Sequence, residues 1–495
     1  MSKIIIQNGN MCELDLPLKF AQKLYNEFAI RHPNAFYLRT RQRGMQNWDG
    51  KIHYITKTGQ FKIGLLPKVY DMCIEMGIKP KVVDMRQTLP KVSKVVTNIG
   101  KYKLRPEQEK AVKAVINNKI GNTPFHIGVL DYTVNAGKTL IMSSLYLSYK
   151  KQLKTLLITN DSDWLNQARE EFKQYLPGED ITFVQGKVLN WSNFTIGMVQ
   201  SISRNMRFYQ KELSQIDMVL IDEADQGGSK QYQDVITRLF NTRIRIGLSG
   251  TIYMSKLAKD KVKNMNLECF FGKVIAEFKL KDSIKKGYST KTVVKMVPGK
   301  PWYGNWESDC ISYKEIYDDS ITNCYTAWLM AYNRLRWNIN QGRYPALVVC
   351  KHIAHCENLY KFFKKKLGDA YNIAYVHVNT SSKLRQQIMK DFREGKIDIL
   401  VSTTIIARGK NFPKLKYLLN TASMDSQEKS IQFLGRLVRT DESKNKVYLD
   451  DLHYPGNYLD RHGKHRKQYY QRQELKVILL DKLWKKHPNH SLIKS

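Results

Sequence analysis

The sequence predicts an α/β protein with two consecutive series of parallel strands and helices, a small α+β region before them and a basic helical tail after them. Runs such as 218–221 and 346–349 are wholly apolar and pass directly into polar residues, which is typical of strands buried in a parallel sheet. The second series of such runs begins near residue 312. The first 96 residues carry only short strand and helix patterns.

The length of 495 residues is enough for roughly two to four domains. We expect an accessory nucleic-acid-binding domain, two α/β domains and a basic C-terminal tail. Their predicted boundaries are 1–96, 97–280, 281–455 and 456–495.

Lysine and arginine number 81 against 45 aspartate and glutamate residues, a formal net charge of +36. So large an excess indicates a polyanionic partner, most simply nucleic acid, although a generally solvated basic surface is the alternative. Seven cysteines without a Cys-x-x-Cys pair are typical of a reducing compartment. Since no apolar run approaches the ~20 residues of a membrane span, we expect a soluble protein of the cytoplasm with no membrane partner.

The N-terminal region combines basic and aromatic residues between a predicted helix at 18–30 and a predicted hairpin at 51–56 and 61–66. Such a combination offers phosphate contacts and a stacking surface to nucleic acid. The alternative is that the tryptophan belongs to the core and the arginines face water. The candidate residues are Arg39, Arg41, Arg43, Trp48 and Lys51.

Residues 131–139, Asp-Tyr-Thr-Val-Asn-Ala-Gly-Lys-Thr, lie between an apolar run and a predicted helix. This strand, loop and helix arrangement is typical of a phosphate-binding loop, in which backbone N–H groups at the helix start face an anion. Lys138 would place its charge on the β- and γ-phosphates, and the Thr139 hydroxyl would reach Mg²⁺. The loop would be completed by Asn135, Ala136 and Gly137. Because Tyr132 occupies the position of the pattern's first glycine, an ordinary helix start is the alternative.

An arginine and a glutamine three residues apart, Arg105 and Gln108, precede this loop. They are candidates for contacting an adenine edge. A plain solvated helix N-terminus fits the same spacing.

Two carboxylates, Asp222 and Glu223, directly follow the apolar run 218–221. At the carboxyl end of a buried strand, Asp222 would hold Mg²⁺ through water, and Glu223 would orient and activate the attacking water. Ser249 and Thr251 follow the next apolar run and are predicted to couple to this acidic loop.

Residues 430–439 place Gln432, Arg436 and Arg439 on about one face of a predicted helix. Arginines so placed could stabilise charge on a γ-phosphate in the transition state. A salt-bridged surface helix is the alternative, although it does not explain Gly435. The basic segment from 461 onward could contact phosphates or simply pack on the second α/β domain.

The ordered motifs resemble those of the superfamily 2 helicases: Ala136-Gly-Lys-Thr139, Asp222-Glu-Ala-Asp225, Ser249-Gly-Thr251, Ser402-Thr403 with Gly409, and Gln432-x-x-Gly-Arg-x-x-Arg439. The resemblance covers roughly residues 104–440. It implies two RecA-like domains with ATP, Mg²⁺ and Gly409 in the cleft between them. Nucleic acid would run across both domains, with Gln200, Ser201, Ser402 and Thr403 among its contacts.

Within the superfamily, the Asp-Glu-Ala-Asp spelling is that of DEAD-box RNA helicases, but Gln432 stands where that group has histidine. The glutamine form is similar to double-strand DNA motors. Asn47-Trp-Asp-Gly50 followed by a basic strand resembles DNA helicases of T-even phages. Departures from relatives at Thr133, Asp225 and Asn411 leave substrate polarity and coupling open.

The phage resemblance implies fork regression, branch migration, R-loop unwinding and strand annealing, in DNA replication, recombination and repair within a host cytoplasm. RNA in hybrids would be a further substrate. The alternatives are an RNA helicase, the motor of a restriction-type complex and a passive nucleic-acid-binding protein.

Overall fold

The structure is a computed structural model, and two compact units, Met1–Phe278 and Lys279–Ser495, divide the chain. Among the residues it describes, no helix is both long enough and apolar enough to cross a membrane. The described residues are 2–41, 45–149, 152–186, 188–252, 260–299, 312–404, 412–425, 430, 433–435, 437–441 and 444–480.

The N-terminal region of the first unit is α+β. Its main sheet has the strand order β5-β2-β1-β6, and β3 pairs with β4 beside it. The strands are β1 Lys3–Ile6, β2 Met11–Asp15, β3 Ala29–Arg31, β4 Lys51–His53, β5 Gln60–Lys62 and β6 Lys81–Asp84. The helices are Leu18–Glu27, Ala35–Arg41 and Leu66–Glu75, with a 3₁₀ turn at Ile63–Leu65.

The predicted hairpin at 51–56 and 61–66 is wrong in its pairing. A single bridge joins Ile55 to Phe61 across a tight turn, after which β4 pairs with β3 and β5 pairs with β2. The turn is closed by the Gly59 N–H, which donates to the Thr56 carbonyl at 2.9 Å. A turn therefore does connect the two segments, but each strand pairs with a different partner.

The N-terminal region is fixed to the first large sheet through a buried arginine. Arg245 is fully buried, and its NH2 donates to Gly9 O and Asn10 Oδ1, both at 2.7 Å. Burial lowers the pKa of this guanidinium to about 9. Gly9 is required at this contact, because an added Cβ would lie 2.5 Å from Leu239 O. The accessory region and the first α/β domain therefore form one unit.

The first large sheet has eight strands in the order β14-β13-β15-β12-β16-β17-β11-β18, parallel except for β14. The strands are β11 His126–Tyr132, β12 Thr155–Thr159, β13 Ile181–Gln185, β14 Val188–Leu189, β15 Phe194–Met198, β16 Met218–Asp222, β17 Ile244–Ser249 and β18 Val274–Phe278. Short pairs β7 Asn98–Ile99 with β8 Tyr102–Lys103, and β9 Lys119–Ile120 with β10 Thr123–Pro124, precede it.

The helices of this domain cover the sheet by their apolar faces. They are Pro106–Ile116, Lys138–Ser148, Ser162–Tyr175, Val199–Arg204, Gln210–Ser214, Lys230–Ile236 and Lys261–Phe271, with a 3₁₀ turn at Ala224–Gln226.

The second unit contains a seven-stranded, wholly parallel sheet in the order β21-β22-β20-β23-β24-β19-β25. The strands are β19 Lys291–Pro298, β20 Ala346–Cys350, β21 Ile373–Val376, β22 Ile399–Thr403, β23 Tyr417–Asn420, β24 Lys446–His453 and β25 Lys476–Leu479. The helices are Leu280–Lys285, Tyr313–Tyr317, Tyr325–Ile339, Ile353–Leu367, Ser382–Glu394 and Asn457–Arg472, with a π-helix at Asp318–Thr322. The prediction of two α/β domains with parallel sheets is therefore confirmed.

The segment predicted as a basic tail is helical over Asn457–Arg472 and then adds β25 to the edge of the second sheet. Arg466 on this helix is fully buried and donates to both carboxylate oxygens of Asp451 at 2.9–3.0 Å. The same carboxylate accepts from Asn420 and Tyr470. A charge pattern alone could not distinguish this buried arginine from its exposed neighbours.

We expect Arg466→Met to destabilise the second unit by about 3–5 kcal/mol, because it leaves Asp451 buried without its countercharge. The corresponding fall in thermal midpoint of the full chain is roughly 6–20 °C. Arg461→Met removes an exposed arginine of the same helix and serves as the matched control. Equal midpoints for the two variants would show that the buried pair contributes nothing.

Candidate active site

Three neighbouring strands of the first large sheet bring the predicted nucleotide-binding residues to one edge. The order is β16-β17-β11, and the parallel register pairs Asp222 with Leu248 and Asp131 with Ser249. The carboxyl ends of parallel strands meet at the same edge, which is where ligands bind in open α/β sheets. The phosphate loop, the acidic pair and the Ser249 segment therefore face one region.

The loop between β11 and the helix Lys138–Ser148 has the geometry of an anion cradle. Asn135 and Gly137 have left-handed backbones, with φ of 65° and 70°. An added Cβ on Gly137 would lie 2.3 Å from Gln108 Nε2, so glycine is required there on two counts. Lys138 and Thr139 form the first turn of the helix, where free N–H groups favour a phosphate.

Gln108 is buried against this loop, and its amide holds the loop in place. Its Nε2 donates to Ala136 O, and its Oε1 accepts from Arg105 N, both at 2.8 Å. The sequence reasoning did not find this supporting role, because it depends on a contact across 28 residues. Contact of Arg105 and Gln108 with an adenine edge stays a prediction.

The acidic pair lies at the end of β16 in a low-dielectric environment. Burial raises the pKa of the Asp222 carboxyl, and the positive charge of Lys138 partly opposes this rise. Burial, followed by the charges of Asp222 and Asp225, raises the pKa of Glu223 to about 8. Glu223 also has a left-handed backbone, with φ of 52°, which is unusual for a non-glycine residue. Strain and a perturbed pKa at one carboxylate are typical of a functional site.

The segment Ser249-Gly250-Thr251 lies between the phosphate loop and the acidic motif. Ser249 Oγ donates to Asp225 Oδ1 at 2.9 Å, and the Thr251 N–H donates to Ser249 Oγ at 3.1 Å. A Cβ on Gly250 would lie 3.1 Å from both Tyr132 O and Thr133 Cα. The segment therefore contacts both motifs, as the predicted coupling requires; coupling itself stays a prediction. The contribution of Gly250 was missed.

Gln200 and Ser201 are predicted to contact nucleic acid from the first domain. They lie in the first turn of the helix Val199–Arg204, which directly follows β15. Ser201 is buried, and its Oγ accepts from Gly186 N at 2.9 Å. Gln200 Nε2 donates to Asn160 O at 3.4 Å, while its Oε1 is buried without a protein partner. The Ser201 hydroxyl can still donate its hydrogen while it accepts from Gly186 N, and contact of Gln200 and Ser201 with nucleic acid stays a prediction.

In the second unit, Ser402 and Thr403 are buried at the carboxyl end of β22, and Ser402 Oγ donates to Thr403 O at 2.9 Å. Ser402 is completely buried, so its prediction as a direct nucleic-acid contact is not supported by its position. Gly409, Gln432 and Arg436 lie outside the described residues.

Arg439 lies within the described residues, and its backbone is not helical, contrary to the prediction. The helical residues end at Leu437, and Val438 O accepts from the N–H of Thr290, the residue before β19, at 2.7 Å. Arg439 therefore follows the helix and is not on its face. Its own carbonyl accepts from Thr290 Oγ1 at 3.1 Å. Its role toward a γ-phosphate stays a prediction.

The accessory region presents an exposed basic and aromatic surface on the helix Ala35–Arg41. Phe36 is 80% exposed and Tyr37 55%, and the Arg41 guanidinium lies 5.0 Å from the Tyr37 ring centre. Arg39 and Lys51 are exposed as well. The Phe36-Tyr37 pair was the available sequence signal for this surface, and Phe36 was missed.

Trp48 is half-buried and donates from Nε1 to Lys51 O at 2.9 Å. It is therefore neither a full core residue nor a free stacking platform. Arg43 lies outside the described residues.

The donor set at the first sheet edge fits ATP with Mg²⁺. A helix N-terminus and Lys138 suit phosphates, while the Thr139 hydroxyl and the Asp222 carboxylate are the oxygen ligands that Mg²⁺ prefers. Lys138 already interacts electrostatically with both carboxylates, which indicates that the two halves of the site lie close together. The metal would supply charge neutralisation at the phosphates.

Two family models match the chain, one in each unit. Residues 101–254 match the type III restriction enzyme res subunit model, and residues 331–441 match the helicase conserved C-terminal domain model. Together the two matches span more than half of the chain. The res subunit match contains the predicted phosphate-loop and acidic motifs, and the helicase C-terminal match contains the predicted arginine motif that follows them.

IRC3 of Saccharomyces cerevisiae, named as an ATP-dependent helicase, is 23% identical to this chain. The alignment covers 70% of this chain and 51% of IRC3. Helicase 22 of Sulfolobus islandicus filamentous virus is 23% identical, over 71% of this chain and 64% of its own. The chain thus spans about half to two thirds of these relatives.

Two solved structures align with most of this chain. A fragment of an HsdR subunit of a type I restriction enzyme from Vibrio vulnificus has a TM-score of 0.54 at 16% identity, covering 76% of this chain and 68% of the fragment. The alignment with UvsW of phage T4 covers 97% of this chain and 98% of the UvsW chain, at 19% identity and a TM-score of 0.44. The two family models, in one chain and in this order, identify the protein as a member of the superfamily 2 helicases.

Proposed function

We propose that this chain is an Mg²⁺-ATP-dependent DNA helicase or translocase that remodels branched DNA. The ATPase part of the proposal rests on one observation. The same edge of the first large sheet holds Lys138, Thr139, Asp222 and Glu223. In this proposal Lys138 neutralises phosphate charge, Asp222 holds the metal through water, and Glu223 orients the attacking water and accepts its proton. Arg436 and Arg439 would stabilise the γ-phosphate in the transition state.

The nucleic-acid part is supported by charge and by the accessory surface. A net charge of +36 favours a polyanion, and Phe36 and Tyr37 are exposed beside Arg39 and Arg41. Aromatic rings beside arginines can stack on unpaired bases while the arginines contact phosphates. Unpaired bases next to duplex occur at forks and junctions, so such a surface suits branched substrates.

The surface would be carried rigidly by the first motor domain. Arg245 fixes the turn at Gly9 and Asn10, and Tyr54 Oη donates to Asn266 Oδ1 at 2.9 Å. Movement of the first domain during the ATP cycle would therefore move the bound strand with it. Fork regression, branch migration, R-loop unwinding and annealing are the reactions that such a motor would perform, in DNA replication, recombination and repair.

We expect ATP turnover to be stimulated most strongly by forked DNA or a four-way junction. The measurement compares the steady-state rate without nucleic acid and with single-stranded DNA, linear duplex, junction and single-stranded RNA, with Lys138→Ala as the background control. Strongest stimulation by RNA would assign an RNA helicase instead. A rate that no nucleic acid changes would contradict the motor, and no turnover at all would favour a passive binding protein.

A further inference from the structure

The amino edge of the second large sheet carries a row of lysines. Lys446 and Lys291 begin β24 and β19 and are register partners, and Lys476 begins β25 beside Val293 of β19. All three are exposed. This edge is opposite to the carboxyl edge that holds Ser402 and Thr403, so the proposed motor site does not account for it.

Two aromatic rings on the same face are surrounded by further cations. Lys295 lies two strand repeats from Lys291 on that face, and its Nζ is 4.6 Å from the Trp337 ring centre. The Arg343 guanidinium is 3.6 Å from the Tyr448 ring centre and 4.8 Å from that of Trp337. Cation–π contacts of this kind position basic groups without neutralising them.

One carboxylate, Asp450, opposes part of this positive charge. Asp450, on the same face, already accepts from Arg334 at 2.6 Å and from Asn338 and Tyr417 at about 3 Å. Among the described residues, no ion pair involves the basic edge, defined as Lys291, Lys295, Arg343, Lys446 and Lys476. Burial lowers the pKa of Lys295; the charge of Asp450 opposes this fall, and the charges of Arg334, Arg343 and Lys446 add to it. A bound anion would relieve this repulsion.

We propose that the basic edge binds the phosphate backbone of duplex nucleic acid, as a second contact at the edge of the sheet opposite to Ser402 and Thr403. Neighbouring strands lie about 4.8 Å apart, so lysines from three adjacent strands span roughly 10 Å. Successive phosphates of one DNA strand rise about 3.4 Å along the axis while winding around it, so a row of this length spans at least two of them. The polyanion is taken from the proposed function, and a duplex arm leaving a junction is the kind of partner that a second surface would hold.

The test is equilibrium binding of a labelled four-way junction and a linear DNA duplex by the full chain, without ATP, over a series of salt concentrations. The variant Lys291→Gln/Lys446→Gln removes two exposed charges from the basic edge. The control Lys364→Gln/Lys396→Gln removes two exposed lysines of the same unit that are paired with Asp369 and Glu394. We expect the edge variant to lower the slope of log K against log salt by about 2, since each phosphate contact contributes about 0.9. Its ATP turnover without nucleic acid should be unchanged.

Equal slopes and affinities for the two double variants would overturn this inference, whatever the native protein binds. Failure of the native chain to bind DNA would overturn the proposed function as well. Trp337→Leu provides a second test, because it removes the ring that positions Lys295 and Arg343 while keeping every charge. We expect weaker junction binding with a nearly unchanged salt slope, in a protein that remains folded at the binding temperature. Binding equal to the native protein would show that the rings have no role.

Discussion

Replacement of Glu223 by glutamine should lower ATP turnover by about 10³-fold while ATP binding remains within a fewfold of the native affinity. Glutamine has nearly the same shape as glutamate but cannot accept a proton from the attacking water. Loss of a positioned general base typically costs 10²–10⁴-fold. The measurement is the single-turnover rate, together with the Kd of a fluorescent ATP analogue.

The pKa of Glu223 supplies an internal check that the variant is folded. Because this pKa is raised to about 8, the folded protein favours the protonated carboxyl. A raised carboxyl pKa contributes stability that is complete below the unfolded value of 4.5 and is lost as pH rises toward 8. Native protein at pH 7–8 therefore carries a penalty that neutral glutamine lacks.

We accordingly expect Glu223→Gln to unfold at the same or a higher temperature than the native protein at pH 8, and to lose this advantage at pH 5. Glu170→Gln, on an exposed helix of the same unit, is the control and should change neither turnover nor midpoint. Native turnover in Glu223→Gln would remove this residue from the mechanism.

Much of the fold was predictable because buried parallel strands leave a clear pattern. The predicted apolar runs 218–221 and 346–349 lie in β16 and β20, since a run that is apolar throughout indicates a strand buried in a parallel sheet. β25 was missed because Lys476–Leu479 is a short edge strand within a basic segment. Its assignment depends on pairing with Val293–Met296, which local sequence does not encode.

The candidate site was predictable where function is carried by a local motif. The phosphate loop and the acidic motif are each contiguous, and their side-chain types are fixed by phosphate and metal chemistry. The contact of Gln108 with Ala136 was not predicted, because it joins residues 28 positions apart. The contact of Ser249 with the acidic loop was expected from its motif, although its partner there, Asp225, was not named. Ser201 and Ser402 are buried, which the sequence does not indicate, since small hydroxyl residues suit both exposed and buried positions.

Replacement of Lys138 by alanine should reduce kcat/KM for ATP by at least about 10²-fold. The ammonium group supplies the only positive side chain of the phosphate loop, and loss of one such transition-state contact typically costs 10²–10³-fold. A second effect acts in the same direction. Lys138 lowers the pKa of Asp222 and Glu223, so its removal should raise both values further and disfavour the ionised carboxylates that metal and water require.

These two effects can be separated by pH. If lost carboxylate ionisation contributes, the residual activity of Lys138→Ala should rise more steeply between pH 7 and 9 than that of the native protein. Lys113→Ala removes an exposed lysine of the neighbouring helix and should retain native kinetics. Lys138→Arg keeps the charge but not the compact ammonium, so we expect an intermediate rate. Native turnover in Lys138→Ala would mean that the loop does not bind the transferred phosphate, and the site at this sheet edge would have to be reassigned.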